Sequence, residues 1–168
     1  MKTIYLSLGS NIGDREAHLE AALGQLASND LRILRVSPIY ETEPLELTAQ
    51  RRFLNLVAEA GTSLFPMQLL ARVGRIERAL GRVRTVPNGP RTIDIDILLY
   101  ASSVVRSPTL EIPHPRMAAR RFVLAPLADL NPDLRHPVTH RTVKEMLAAA
   151  PEQAVRRVGG AGSWRVGD

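Results

Sequence analysis

Cysteine is absent from the chain of 168 residues, so disulfide bonds and thiolate metal sites are excluded. Aromatic residues make up only 4% of the sequence, which counts against a surface that stacks several nucleic-acid bases. A run of about 18 apolar residues is also missing, so we expect no transmembrane helix. The N-terminus has no signal-peptide pattern, and we therefore expect a cytoplasmic protein.

Several catalytic motifs are missing as well. The chain has no G-x-x-x-x-G-K-[ST] sequence, which excludes a Walker-type nucleotide site. Its histidines lack the spacing of a zinc site, and no nucleophile-elbow motif supports Ser-His-Asp chemistry.

What is present fits one soluble domain with a net charge of +5 and 45% hydrophobic residues. We expect a single domain over residues 1–168, with its core at about 3–137 and a poorly ordered tail after Pro151. The basic charge is typical of a protein that binds a polyanion, such as a nucleotide or a nucleic acid, but an arginine-rich genome would produce the same composition.

The segment after Pro90 alternates isoleucine and aspartate. This period of two predicts a β-strand in which Ile93, Ile95 and Ile97 face a core while Asp94 and Asp96 share the opposite face. Two carboxylates on one strand face repel each other, so a cation should offset them, and a hard divalent metal suits their oxygen atoms best. A solvated face paired with arginines is the alternative interpretation.

The apolar pattern along the chain predicts the order β-α-β-β-α-β. A turn is expected at 9–13 with Asp14 as a helix N-cap, and Pro66 and Gly81 should mark the start and the end of the second helix. This order indicates a ferredoxin-like α+β core, in which an antiparallel sheet carries helices on one face. The strands are expected at residues 4–8, 31–40, 53–62 and from 93, and the helices at about 14–28 and 66–80.

Residues 101–168 are expected to extend this core. We predict a short strand near 102–105, a rigid loop at 113–115, and helices at about 120–130 and 142–150.

A charged cluster surrounds the paired aspartates in the sequence. Its members are Glu77, Arg82, Arg84 and Arg91. Arginine presents a planar fork of donors that suits phosphate, so a metal with these arginines would clamp a polyphosphate. Taken by themselves, Arg82 and Arg84 are equally compatible with an ordinary solvated basic loop.

Two phenylalanines and an asparagine suggest a second site. Phe53 and Asn55 share one face of a predicted strand, and Phe122 lies far away in sequence. Two rings can sandwich a flat heterocycle while an amide binds its edge. Taken singly, each phenylalanine is also a normal core residue.

With these motifs in place, roughly residues 3–137 resemble the 6-hydroxymethyl-7,8-dihydropterin pyrophosphokinase family. The most specific element is residues 89–96, Gly-Pro-Arg-Thr-Ile-Asp-Ile-Asp, which is similar to the family signature G-P-R-x-[LIV]-D-[LIV]-D. Further matching segments follow in the family's order at residues 8–11, 40–44, 53–55, 81–84, 112–117 and 120–124.

The resemblance implies an enzyme of folate biosynthesis that transfers the β,γ-diphosphate of ATP to the hydroxymethyl group of the pterin. It implies that Asp94 and Asp96 hold two Mg²⁺ ions, and that Arg82 and Arg91 act with them in catalysis. It implies an ATP-binding set of Glu77, Arg82, Arg84, Arg91, His114 and Arg120. It implies a pterin-binding set of Asn11, Thr42, Leu45, Phe53, Asn55 and Phe122.

Two other functions share some of these features. A basic ferredoxin-like RNA-binding module would have the same element order, but it requires exposed aromatics on its central strands. A γ-phosphoryl or nucleotidyl transferase could use the same aspartates, and would release ADP or pyrophosphate. The expected partners are ATP and the pterin, with no nucleic acid, no membrane and a monomeric chain.

Overall fold

The structure, a computed structural model, describes residues 1–42, 52–81 and 92–159. No helix in these ranges is both long enough and apolar enough to span a membrane. The strands are β1 Lys2–Ser10, β2 Leu31–Val36, β3 Tyr40–Thr42, β4 Phe53–Thr62, β5 Asp94–Tyr100, β6 Val105–Arg106, β7 Glu111–Ile112 and β8 Val155–Arg157. The α-helices are α1 Arg15–Leu26, α2 Pro66–Ala79, α3 Arg121–Leu130 and α4 Val143–Ala149.

Six strands form one antiparallel sheet. Its order is β5-β1-β4-β3-β8, and β2 also pairs with β4. The central strand β1 therefore lies between β4 and β5, which confirms the predicted ferredoxin-like arrangement. The strands β6 and β7 form a separate hairpin, so the short strand expected near 102–105 begins only at Val105.

The predicted strand at 31–40 is divided into β2 and β3. Ser37 replaces the regular ladder at this point, because its N–H donates to Val57 O and its hydroxyl accepts from Val57 N, both at 2.9 Å. Pro38 has no N–H to continue the pairing. The strand break thus satisfies the backbone of β4 through a side chain, and β2 and β3 pair with successive segments of β4.

The helix signals in the sequence are confirmed. Asp14 caps α1 by accepting a hydrogen bond from Ala17 N at 3.1 Å. Pro66 occupies the first turn of α2, and Gly81 follows its end with a φ of 84°, a conformation that glycine adopts without strain. Thr142 and Glu145 form a capping box at the start of α4.

One face of the sheet, here called the back face, is covered by α1 and α2. Leucine, isoleucine and valine side chains from both helices pack against the inward residues of β1, β4 and β5. The isoleucines of the Ile-Asp alternation are part of this core, with Ile93 fully buried.

The two helices of the core thus lie on one face, as expected, and the helices of the C-terminal extension, α3 and α4, pack on part of the opposite, front face. A second core forms where these helices meet Tyr5, Val57, Leu98 and Leu99. A β-bulge between β1 and β5 shifts the register here, so consecutive leucines both reach this core. The helical extension therefore adds a third layer over one half of the sheet.

The C-terminal segment is more ordered than the sequence indicates. Val155–Arg157 form β8, which pairs with β3, although the chain after Pro151 was expected to lack structure. A three-residue strand has too short a pattern to be recognised, and its order comes from a distant partner strand.

A polar network ties three strands together beneath α3. The hydroxyl of Tyr5 donates to Glu59 Oε2 at 2.5 Å, and Arg35 donates to both oxygens of Glu59 at 3.0 and 2.8 Å. The hydrogen bonds from Arg35, with a smaller contribution from Tyr5, hold the pKa of Glu59 below its usual value even though burial opposes this. A lowered carboxylate pKa stabilises the fold above the unfolded-state pKa, and that contribution is lost as the pH falls.

We predict that Glu59→Gln lowers the free energy of unfolding by about 1–2 kcal/mol at pH 7, because charged hydrogen bonds are lost. The difference from the wild type should shrink as the pH falls below about 4.5, where glutamate protonates. Urea unfolding at several pH values measures this, with the exposed Glu152→Gln as a control. A difference that is the same at every pH would contradict the assignment.

Candidate active site

The half of the front face that α3 and α4 do not cover carries the polar residues predicted to form the functional site. The strand register places Asn55 of β4, Gly9 of β1 and Asp94 of β5 in one row across the sheet. In the neighbouring row, Ser7 lies between Val57 and Asp96. The site therefore begins where α3 and α4 stop covering the sheet.

The paired aspartates lie as the alternation predicts. Ile95 and Ile97 are buried on the back face, whereas Asp94 and Asp96 are partly exposed on the front. The β1 residues opposite them are only Gly9 and Ser7. Because Gly9 has no Cβ atom, side chains from β4 can lie over β1 at this point.

Two side chains from the extension approach Asp96. Arg120 Nη1 lies 3.8 Å from Asp96 Oδ2, and His114 Nε2 lies 4.0 Å from Asp96 Oδ1. Burial, together with the positive charges of Arg120 and Arg116, lowers the pKa of His114 to about 4. His114 Nδ1 accepts a hydrogen bond from Arg116 N at 3.1 Å, so the neutral ring carries its proton on Nε2. The ring is thus a neutral donor that faces the aspartates.

The donor set suits Mg²⁺ bound together with a phosphate. No group of three His, Cys, Asp or Glu side chains is placed to hold a metal within the described ranges. Mg²⁺ is usually held by one or two carboxylates, water and substrate phosphates, which matches a pair of aspartates on one strand face. The hydroxyl of Thr92, just before β5, is buried with no hydrogen-bond partner in the described structure, which leaves it available to a polar ligand atom.

Glu77 joins α2 to the strand of the aspartates. Its Oε2 accepts a hydrogen bond at 2.9 Å from the N–H of Ile95, the residue between Asp94 and Asp96. Because β5 is an edge strand, this contact satisfies a backbone donor that the sheet leaves open. The structure thus gives Glu77 a role in holding β5, whereas the family resemblance places it among the ATP-binding residues.

A cavity of about 310 Å³ lies along the outer edge of β5. It opens beside Asp96 and His114, and Leu70 of α2 forms part of its apolar wall. The turn between β6 and β7, residues 107–110, closes it with both polar and apolar groups. No sequence pattern predicts this cavity, because only the fold brings a hairpin turn against the edge of a distant strand.

The predicted amide site is formed by buried polar residues. Asn55 Nδ2 donates to Thr42 Oγ1 at 2.7 Å, and both residues are almost fully buried. A Cβ atom on Gly9 would lie only 2.7 Å from Asn55 Oδ1, so the Asn55 amide lies directly over the glycine. Asn11, also buried, follows the end of β1.

Gly9 itself was misassigned in the sequence analysis. It was placed in the turn at 9–13, but it belongs to β1. A glycine inside a strand often marks a close approach by another group, and that signal was available.

The two phenylalanines reach the same side of the sheet. Phe53 is half-buried at the start of β4, and Phe122 packs against the front core from the first turn of α3. The guanidinium of Arg120 lies over the Phe122 ring, 5.5 Å from its centre. The packing of α3 on the front face places Phe122 on the same face of the sheet as Phe53 and Asn55.

Four predicted site residues lie outside the described ranges. They are Leu45, Arg82, Arg84 and Arg91.

The RNA-binding alternative does not match the central strands. The aromatic residues that β1 and β4 carry are Tyr5, which is buried under α3, and Phe53, which is half-buried. These strands therefore lack the exposed ring platform that an RNA-recognition sheet uses.

Taken together, these features define a ferredoxin-like α+β protein with a carboxylate pair between an edge cavity and a buried amide pocket. The model of the 7,8-dihydro-6-hydroxymethylpterin-pyrophosphokinase (HPPK) family matches residues 5–132. A 2-amino-4-hydroxy-6-hydroxymethyldihydropteridine pyrophosphokinase from Pseudomonas aeruginosa is 43% identical over 162 residues, covering 96% of this chain and 99% of the relative. The chain belongs to the HPPK family, as its motifs indicated.

Other relatives are longer proteins. Folic acid synthesis protein fol1 of Schizosaccharomyces pombe is 46% identical over 156 residues, which cover 92% of this chain but 21% of that protein. The chain thus spans about a fifth of the length of that relative. A crystal structure of an HPPK-DHPS in complex with substrates has a TM-score of 0.71 at 15% identity, covering 88% of this chain and 43% of the other. At that identity, the match supports the fold alone.

We predict that Gly9→Ala lowers the free energy of unfolding by about 1–3 kcal/mol, because the added methyl group overlaps the Asn55 amide. Gly61→Ala, in β4 of the same sheet, is the matched control, since its Cβ would meet its nearest neighbour, Met1, at 3.5 Å. The double variant Gly9→Ala/Asn55→Ala should recover part of the loss. Equal urea-unfolding curves for the two single variants would contradict the close approach.

Proposed function

We propose that this protein transfers the terminal diphosphate of ATP to the hydroxymethyl group of 6-hydroxymethyl-7,8-dihydropterin and releases AMP. The observation that carries the proposal is the row Asn55–Gly9–Asp94. It sets an amide pocket and a metal-type carboxylate two strand spacings apart, about 10 Å, on the same face of the sheet. Membership of the HPPK family supports the same reaction.

The pterin occupies the side of Asn55 in this proposal. The Asn55 amide and the Thr42 hydroxyl are already joined by a hydrogen bond, so the amide is held in one orientation to bind the ring edge. Phe53 and Phe122 provide the flat apolar surfaces, and Asn11 supports the end of β1. Leu45 is predicted from the sequence to complete this side.

ATP occupies the side of β5. Its base enters the cavity between Leu70 and the turn at 107–110, where apolar walls and polar groups lie together. His114 and Arg120 face the phosphates next to Asp96. The family signature adds Arg82, Arg84 and Arg91, and Glu77 holds the backbone of β5 from behind.

Asp94 and Asp96 would hold two Mg²⁺ ions. When bound, the metal neutralises phosphate charge and polarises the transferred group. In the reaction the pterin hydroxyl oxygen forms a bond to the β-phosphorus, the bond from that phosphorus to the α,β-bridging oxygen breaks, and AMP leaves. The hydroxyl proton is released. The protein residues position the two substrates in line, while Arg120 and the neutral His114 donate to phosphate oxygens. We expect the protein to act as a monomer.

A product assay tests the reaction directly. Purified protein is incubated with ATP, Mg²⁺ and the pterin, and the nucleotides are separated by chromatography. We expect AMP only when both pterin and Mg²⁺ are present, and none after chelation with EDTA. ADP would instead indicate attack at the γ-phosphorus, and no turnover by folded protein would refute the proposal.

We predict that Asp94→Asn and Asp96→Asn each lower turnover by about 10³-fold, equal to about 4 kcal/mol, because an isosteric amide removes the metal-binding charge. Far-ultraviolet circular dichroism should remain unchanged. Asp133→Asn, an exposed residue between α3 and α4, controls for loss of one negative charge. Near-normal turnover in either site variant would exclude the metal assignment.

A further inference from the structure

The short strand β3 lies between β4 and the edge strand β8, and side chains from several elements hold it in place. It contains only Tyr40, Glu41 and Thr42, yet Thr42 is the residue whose hydroxyl accepts the hydrogen bond from Asn55. A strand of three residues forms few ladder hydrogen bonds, so its position depends on side chains and on neighbouring strands. The strand β8 pairs with all three residues on the outer edge.

On the front face, β8 supports β3 through Arg157. Arg157 Nη2 lies 2.9 Å from Asp129 Oδ1 and 3.4 Å from the Tyr40 hydroxyl, which itself donates to Asp129. The guanidinium also lies over the Tyr40 ring, 5.8 Å from its centre. Since Asp129 belongs to α3, this contact joins β8 and β3 to the helix that carries Phe122.

On the back face, β8 supports β3 through Arg156. Arg156 Nη2 donates to Glu41 Oε1 at 3.2 Å, and Arg15 of α1 donates to Glu41 Oε2 at 3.1 Å. The same Arg15 nitrogen also donates to the carbonyl of Arg52 at 2.8 Å, just before β4 begins. The Glu41 carboxylate of β3 is therefore held between Arg156 and Arg15, and Arg15 also binds the residue just before β4.

We propose that Arg156 and Arg157 are positioning residues for the pterin side of the site. Each binds β3 on a different face, and together they hold Thr42 where it orients the Asn55 amide. This inference rests on the proposed function, because it assigns the Asn55 side to the pterin. It gives the C-terminal strand a part in substrate recognition, although the side chains that the two arginines contact within the described ranges are Tyr40, Glu41 and Asp129 rather than Asn55 or Thr42.

The position of β8 implies that loss of the two arginines should weaken binding on the pterin side more than binding on the ATP side. In the sheet order β5-β1-β4-β3-β8, the strand of the aspartates lies at the opposite edge from β8. Loosening β3 should therefore disturb the amide pocket before it disturbs the ATP side. A general loss of stability would weaken both ligands alike.

The test is equilibrium binding of the pterin and of ATP with Mg²⁺ to full-length Arg156→Ala/Arg157→Ala. We expect the Kd for the pterin to rise by about fivefold or more, and the Kd for ATP to stay within about twofold. Because the side chains are 76% and 56% exposed, their removal leaves no buried cavity, and the chain should remain folded. Asn55→Ala provides the reference for direct loss of the amide.

Two further variants separate positioning from charge. Arg156→Lys/Arg157→Lys keeps cations opposite Glu41 and Asp129, so it should restore most of the pterin affinity. Arg32→Ala is a control for the loss of an exposed arginine, because Arg32 pairs with Gly61 at the far end of β4. It should leave both affinities unchanged.

Hydrogen exchange supplies a readout that does not need turnover. The backbone amides of residues 40–42 should exchange faster in the double alanine variant, while those of β1 and β5 keep their protection. If the wild type binds the pterin and the double alanine variant binds it equally well, the inference is overturned and the proposed function stands. If the wild type fails to bind the pterin at all, the proposed function is overturned, and this inference with it.

Discussion

The register of β1 against its two neighbours is the constraint on which the site depends. β1 places Gly9 opposite Asn55 on one side and Asp94 on the other, so a shift by one residue would turn every one of these side chains to the wrong face. The same register buries the leucines and isoleucines of β1, β4 and β5 under α1 and α2. Burial of the apolar side chains on the back face thus determines which polar side chains lie on the front face, because successive side chains along each strand alternate between the two faces.

The third layer covers only part of the front face. α3 and α4 pack on Tyr5, Val57 and the leucines of the β5 bulge, and the row of Asn55, Gly9 and Asp94 lies outside that core. The first turn of α3 contributes Phe122 to the border of the site, and the residue just before the helix contributes Arg120. The preceding loop contributes His114. One extension therefore supplies core packing, a phosphate-facing donor and an aromatic ring.

Polar contacts to the backbone and between side chains determine how rigidly the site is held. Glu77 binds the amide between the two aspartates at one edge of the sheet, and Arg156 and Arg157 bind β3 at the other. The edge strand β5 lacks a second ladder, so Glu77 binds a backbone donor that the sheet leaves open, whereas the short ladder between β3 and β8 is reinforced by the two arginine side chains. The residues that support the site are in this way as widely separated in sequence as those that form it.

The sequence by itself determined the element order, the caps of α1 and α2, the limits of β4, and the common face of Asp94 and Asp96. These properties depend on periodicity and local hydrogen bonding, which neighbouring residues specify. Only the tertiary structure decided that Ser37 divides β2 from β3, that Gly9 lies beneath Asn55, that α3 brings Phe122 to the front face, and that β8 pairs with β3. Each of these contacts joins residues far apart in the chain or replaces a regular ladder by a side chain, and no local pattern encodes the partner.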